Sequence, residues 1–365
     1  MSRRPSGQAV RRVLPVVPPL DVEEVPAAER AAATSALAAL AETTLLHLDA
    51  PDLFHRPRFR TAVHSRHVAR HPEHEVTERI ADAAERRAAA GLLAVASTRA
   101  ELLEHPGRRP CFTPSALCEL HEMIVAGDPN IPSPGGFRRS ASRVVWDDGR
   151  AFAIAVTPGR ELRGHMDRWY RWATRTTAPA LDAAAFSMAR LMTIHPFADA
   201  NGRTARLIAQ CDLVAAGLMP GLLLDLEGWI HAHRLLFDET LVAAAEGEWT
   251  PWAALFARMV AETARHRTDT VVRFSGALAS EAERWGDDPA ASAVLARLRS
   301  TPAVSEEWLR GRVPYDPGPA LARLAAREAL VPHPRLPGAF VHPPSLAILD
   351  EPWTPVVRAP ETSTA

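Results

Sequence analysis

The chain has no lysine: all 42 of its basic side chains are arginine. A GC-rich genome accounts for that bias, so no single arginine carries meaning by itself. Three cysteines, Cys111, Cys118 and Cys211, are too few and too irregularly spaced for a disulfide framework or a zinc site. No segment reaches the roughly 20 uninterrupted apolar residues of a membrane-spanning helix. Met1 to Arg12 is basic but lacks the apolar stretch of a signal peptide. A cytoplasmic protein without membrane contact is the resulting expectation. A net charge of −1 excludes the global electrostatic signature of a dedicated nucleic-acid binder, so any such role must be local. Asparagine occurs only twice, at Asn130 and Asn201, and the second stands beside Gly202, where tight backbone geometry is needed.

What is present leans helical, because alanine, leucine and arginine dominate and all three favour helices. At 365 residues, one large domain with a smaller appended one is expected. Residues 1–20, rich in Arg and Pro, read as a flexible amino terminus. Helical patterns follow at about 25–48, 56–70, 75–104 and 113–126, the last opened by Thr113-Pro114. Ser142–Trp146 and Ala151–Val156 flank Asp147-Asp148-Gly149-Arg150, a strong hairpin signal. Helices are expected again at 166–173, 181–193, 202–216, 228–246 and 250–282. Composition shifts at Trp285-Gly286-Asp287-Asp288-Pro289. Beyond it, 290–300, 303–311 and 317–330 read as short helices, Leu336–Val341 as a small hairpin, and 351–365 as a loose tail. The organisation is then an amino-terminal helical region (21–110), a core (111–282) and a small domain (289–350).

Chemistry concentrates in His195-Pro196-Phe197-Ala198-Asp199-Ala200-Asn201-Gly202-Arg203-Thr204-Ala205-Arg206. His195 can accept and release a proton near neutral pH and suits a general base. Asp199 is a hard oxygen ligand of the kind that joins Mg²⁺ to phosphates. Ala200 and Gly202 leave room for a phosphate, and the following helix start would turn free N–H groups toward it. Asn201 adds an amide donor. Arg203 and Arg206, three apart on one helix face, can clamp further phosphates.

This stretch resembles the signature of the Fic family, His-x-Phe-x-acidic-small-Asn-Gly-Arg-x-x-Arg, with every specified position filled. The resemblance implies a mainly α fold: a Fic helical core with a β-hairpin flap, plus a small winged-helix-like domain at 289–350. It implies a protein adenylyltransferase that moves AMP from ATP to a Tyr, Thr or Ser hydroxyl of a target protein or of itself. His195 would deprotonate the hydroxyl and Asp199 would hold Mg²⁺. Ala200, Asn201, Gly202, Arg203 and Arg206 would bind the nucleotide, and Phe197 would anchor the core. Pro134-Gly135-Gly136-Phe137-Arg138 is similar to the family's element before the flap. That flap would be Val144–Val156, with Val144, Val145, Ala153, Ile154 and Ala155 aligning the target by strand pairing.

One part of the family pattern is missing. Many members carry an inhibitory Ser/Thr-x-x-x-Glu-Gly/Asn helix whose glutamate pairs with the second motif arginine, here Arg206. The corresponding segment places Ser65 at the first position but Ala69 where the glutamate belongs, and Arg70 after it. The inhibitory position is therefore expected to be degenerate; Ser97 to Glu101 is a weaker substitute. His64, His67, His71 and His74 read as surface residues, since Pro72 interrupts their helix. Residues 289–350, with Arg310, Arg312, Arg323 and Arg327, suit weak DNA contact, protein contact or support of a homodimer. Two other functions compete: a nucleotide-sensing DNA-binding regulator, and Fic-like transfer of a different phosphoryl-linked group. An intact His195 argues against the first; within the second, Gly202, where phosphate-transferring relatives carry Lys, argues against phosphate transfer, while transfer of phosphocholine or another nucleotide moiety stays open.

Overall fold

The computed structural model describes residues 12–18, 24–49, 113–125, 131, 133–146, 149–301, 303–333, 337–351 and 353–354. Helix dominates among them. The elements in chain order are β1 (Arg12–Leu14), α1 (Ala27–His47), α2 (Pro114–Val125), β2 (Arg143–Val145), β3 (Ala151–Ile154), α3 (Arg160–Arg175), α4 (Ala180–Ile194) and α5 (Asn201–Ala215). They continue with α6 (Leu226–Ala232), α7 (Arg234–Ala245), α8 (Trp249–Arg284), α9 (Pro289–Ala296), β4 (Ala303–Ser305), α10 (Glu306–Leu309), α11 (Pro317–Ala326), β5 (Val331–Pro332), β6 (Ala339–Val341) and α12 (Pro343–Asp350). The chain divides into two compact units, residues 1–32, 89–217 and 230–259, and residues 33–88, 218–229 and 260–365.

The first unit is organised by α4. Its sequence is apolar on nearly every face, and a helix of that kind is buried all round. Most of its polar groups have partners, although Asp182 Oδ2 and Arg190 Nε are buried without one. The Asp182 carboxylate accepts from the Val25 amide at 2.6 Å and from Arg30 at 3.0 Å. The Ser187 hydroxyl accepts from the Trp169 indole at 3.0 Å, and the Trp252 indole donates to the Ala185 carbonyl at 2.8 Å. Phe186 lies between Trp172 and Trp249, with ring centroids 4.3 and 5.4 Å away. α4 packs along α5, so the loop joining them is carried on two buried supports.

β2 and β3 pair antiparallel around a turn in which Gly149 adopts φ 86°, a conformation open to glycine. Trp146 packs on Phe152 across the hairpin, 4.3 Å between ring centroids. The sheet order is β1-β3-β2, with β1 parallel to β3. Part of the expected flexible amino terminus is therefore a strand. Leu14 and Val17 are buried, and that burial supplies the stabilisation that local sequence does not announce. The remainder of residues 1–20 outside 12–18 lies outside the described residues.

In the second unit the expected helix at 303–311 is instead β4 followed by the single turn α10. Ser305 explains the switch: its hydroxyl accepts from the Trp308 amide at 3.1 Å and starts the helix late. The helix expected at 290–300 stops at Ala296 and continues as a 3₁₀ turn, Arg297–Arg299. The helix expected at 317–330 ends at Ala326, followed by Glu328 at φ 58°. β6 pairs antiparallel with both β4 and β5, so the hairpin runs from Val331 and not from Leu336. α12 was not expected, although Pro343 occupies the favoured first helical turn. The helix expected over 228–246 is two, parted at His233, which leaves helical geometry at φ −119°, ψ 32°. The helices expected at 56–70 and 75–104 lie outside the described residues.

Candidate active site

α4 ends because Pro196 disfavours helical geometry at the residue before it. His195 takes the left-handed conformation (φ 52°, ψ 61°) and turns the chain sharply. Its ring is half-buried, and Nδ1 lies 3.2 Å from the Met192 carbonyl. A carbonyl only accepts, so Nδ1 carries the proton and Nε2 keeps its lone pair. Burial pushes the His195 pKa down to about 4; the Met192 bond opposes the shift and Arg138 adds to it. The imidazole is thus neutral near pH 7, with one basic nitrogen.

The rest of the loop is pinned by Asn201. Its Oδ1 accepts from the Phe197 amide at 2.8 Å, and its Nδ2 donates to the Phe197 carbonyl at 2.9 Å. Asn201 is buried, which makes this reciprocal pair a structural clasp in addition to any ligand role. Asp199 is exposed, and its Oδ1 accepts from the Ala200 amide at 2.5 Å. Ala200 precedes α5 at φ 60° and offers no side-chain acceptor to the first turn. A helix start of this kind attracts anions through its N–H groups and dipole. A Cβ on Gly202 would come within 3.0 Å of Arg206 Nη1, so glycine lets that guanidinium lie close to the helix start.

Two residues that the motif does not contain hold it in place. His121, on α2, is fully buried and stacks on Phe197 with centroids 3.8 Å apart and planes 8° from parallel. Its Nδ1 accepts from the Gly135 amide at 3.1 Å, which requires Nε2 to donate to the Asp199 carbonyl at 3.1 Å. Burial pushes its pKa down to about 4, against the pull of the Asp199 bond. Arg138 is buried too and donates to the carbonyls of His195, Ser140 and Val156. Its amide donates to the Pro196 carbonyl at 2.9 Å. Arg138 could be suspected from Pro134–Arg138, whereas a lone histidine on an apolar face of α2 gave no signal.

The structure brings His195, Asp199, Ala200, Asn201, Gly202, Arg203 and Arg206 together on one loop and helix start. Val144 and Val145 lie on β2, with Ala153 and Ile154 on β3. Because β3 has β1 on one side and β2 on the other, Ala153 and Ile154 offer no open edge. The Ala155 amide donates to the Leu14 carbonyl at 3.2 Å. Of the two hairpin strands, only β2 keeps an outer edge among the described residues, of the kind an added strand would need. Ser65, Ala69, Glu101 and the four histidines at 64–74 lie outside the described residues. Among the described residues no group of three or more His, Cys, Asp and Glu side chains is placed to hold a metal ion. No helix among them is long and apolar enough to cross a membrane.

Residues 111–212 match the model of the Fic/DOC family. The chain is similar to the protein adenylyltransferase Fic of Aedes aegypti, 29% identical over 157 residues, which cover 42% of this chain and 28% of that protein. It is similar to the protein adenylyltransferase Fic of Drosophila grimshawi, 28% identical over 208 residues, covering 56% and 38% respectively. The chain therefore spans well under half the length of these curated relatives. A solved structure of a Fic family protein from Desulfovibrio desulfuricans G20 aligns with a TM-score of 0.46 at 15% identity, covering 85% of this chain and 95% of that one. The family match encloses the whole of His195–Arg206 and both residues that brace it, His121 and Arg138, and it supports a Fic-type protein.

Proposed function

We propose that this chain is a protein adenylyltransferase that moves AMP from ATP to a Tyr, Thr or Ser hydroxyl of a target protein or of itself. The observation that carries the reading is the neutral His195, its Nδ1 fixed by the Met192 carbonyl, beside a helix start suited to phosphate. His195 Nε2 takes the hydroxyl proton as the oxygen attacks the α-phosphorus. The bond from that phosphorus to the bridging oxygen breaks, and pyrophosphate leaves. Arg203, Arg206 and the α5 start hold the phosphates and stabilise the charge that passes to the leaving group. Asp199 is an exposed carboxylate, a hard oxygen ligand that suits Mg²⁺ held by one carboxylate, phosphates and water. Mg²⁺ there would neutralise phosphate charge. The names of the matched relatives support this reading.

The finer parts of the proposal follow. Target alignment would use the outer edge of β2, at Val144 and Val145. Residues 289–350, with helices α9 to α11 and the sheet β4-β6-β5, would form a winged-helix-like module for DNA or protein contact or for homodimer support. The protein would act in the cytoplasm. The deciding experiment supplies ATP labelled on the α-phosphate and, separately, on the γ-phosphate. Protein-bound label from the α-position that disappears in His195→Ala is expected, and label from the γ-position would overturn the reading.

A further inference from the structure

Helix α3 carries five arginines at exposed positions, Arg160, Arg163, Arg168, Arg171 and Arg175. None of them forms an ion pair among the described residues, while Arg30, Arg150, Arg234, Arg273 and Arg323 each meet a carboxylate. The acids of α3 do not neutralise them. Glu161 accepts from the amide and hydroxyl of Thr157 and lies 3.9 Å from His165. Arg171 reaches only the backbone carbonyl of Asp167, at 3.3 Å. One surface hollow is lined by Arg168, Arg171, Trp172, Arg175 and Thr176, and Arg168 also borders a second that includes Arg160 and Glu161.

Nitrogens beneath the track are sparsely hydrogen-bonded as well, although the Arg190 guanidinium lies over the Phe186 ring, 5.7 Å from its centroid. Arg190 is 3% exposed; its Nη1 has one long contact, 3.4 Å to the Val17 carbonyl, and its Nε has no partner. Nδ1 of His165 is likewise buried without a partner. Arg168 acts electrostatically on both of these groups. In a protein of net charge −1 this is a local excess that the fold leaves unmatched.

We propose that the α3 arginine track binds single-stranded nucleic acid, with phosphates held by Arg168, Arg171 and Arg175. Unpaired guanidinium forks match phosphate oxygens two bonds at a time. A cationic groove with an aromatic wall, here Trp172, is the arrangement that follows a single strand. At about 1.5 Å rise per residue, Arg160 to Arg175 spans about 22 Å, room for several phosphates. The surface is separate from the phosphate chemistry of His195–Arg206 and does not rest on AMP transfer.

The test measures fluorescence anisotropy of a labelled oligo-uridine of about 12 nucleotides with the full chain. If four phosphates are neutralised, affinity falls with a log–log salt slope of about −3, or about 50-fold between about 50 and 200 mM salt. R168A/R171A/R175A should flatten that slope by about 2. R168K/R171K/R175K keeps the charge and should keep the slope while binding several-fold more weakly. The proposal is overturned by absence of salt-dependent binding, by equal binding of the alanine variant, or by tighter binding of duplex DNA or oligo-glutamate than of the RNA.

Discussion

The guanidinium of Arg138 donates to the backbone carbonyl of His195 across 2.7 Å, while its other nitrogens reach the carbonyls of Ser140 and Val156. One buried cation thus joins the end of the hairpin to the turn that presents the imidazole, without touching the imidazole itself. Burial holds its pKa below the ordinary arginine value, and no carboxylate hydrogen-bonds to it. Its charge is balanced at hydrogen-bond distance by carbonyl dipoles, with the Glu161 carboxylate adding a longer-range attraction.

Removing it should therefore cost more than an ordinary surface change. Arg138→Met leaves three carbonyls short of a donor, and each unmet buried group costs about 1–3 kcal/mol. We expect a loss of about 3 kcal/mol or more in denaturant unfolding, together with loss of α-phosphate transfer. Arg138→Lys, which can reach only some of the carbonyls, should lie between the two. Wild-type stability in the Met variant would refute the clasp.

Asn201 offers a near-isosteric test. Asn201→Asp can still accept from the Phe197 amide, but its carboxylate faces the Phe197 carbonyl with no proton to give. Asn201→Ala loses both bonds, about 2 kcal/mol in total. Both variants should unfold at lower denaturant than wild type. An unchanged midpoint in the Asp variant would mean that the loop is held by other contacts.

Gly202→Ala should separate folding from nucleotide binding. Alanine is the better helix former by about 1 kcal/mol, so stability should hold or rise. Its Cβ would displace Arg206 Nη1 from a 3.0 Å approach. On the proposed reading ATP affinity then drops by about tenfold, the loss of part of one charge-assisted contact. Calorimetric titration with ATP and a thermal melt on the same sample distinguish the two effects.

Stability should depend on pH through His121 and His195. Both are held neutral in the fold with pKa near 4, against an ordinary value of 6.5. Between those values the unfolded chain binds more protons, so stability is fully present above about pH 6.5 and falls as pH drops toward 4. A series of melting temperatures from pH 8 down to 4 should be flat and then decline. His121→Gln should shallow the decline, and an equally steep fall in that variant would exclude His121 as a contributor. With respect to His195, transfer activity should lose its base only as pH approaches 4.

Much of the first unit was legible because its signals are local. Pro196 after an apolar helix, Asp148-Gly149 between strand-like runs and Thr113-Pro114 before α2 each act on their own few residues, and the elements fall where those residues place them. Ser305 is an equally local signal, and it makes the segment expected to be helical a strand and a single turn. β1 had no such signal. Its pairing with β3 depends on contacts made across well over a hundred residues of chain.

The order of reactive groups in His195–Arg206 was set by the sequence alone, since neighbours in a loop and a first helical turn must lie together. Tertiary structure decided which nitrogen of His195 is basic, because the Met192 carbonyl fixes the tautomer. It also decided that β3 has no open edge, because β1 fills it. His121 and Arg138 became part of the site only through folding: burial turned an unremarkable histidine and one arginine among many into the hydrogen-bonding braces of the loop. Spacing along the chain can announce which groups share a turn, but a proton's position and a strand's free edge depend on partners brought from elsewhere.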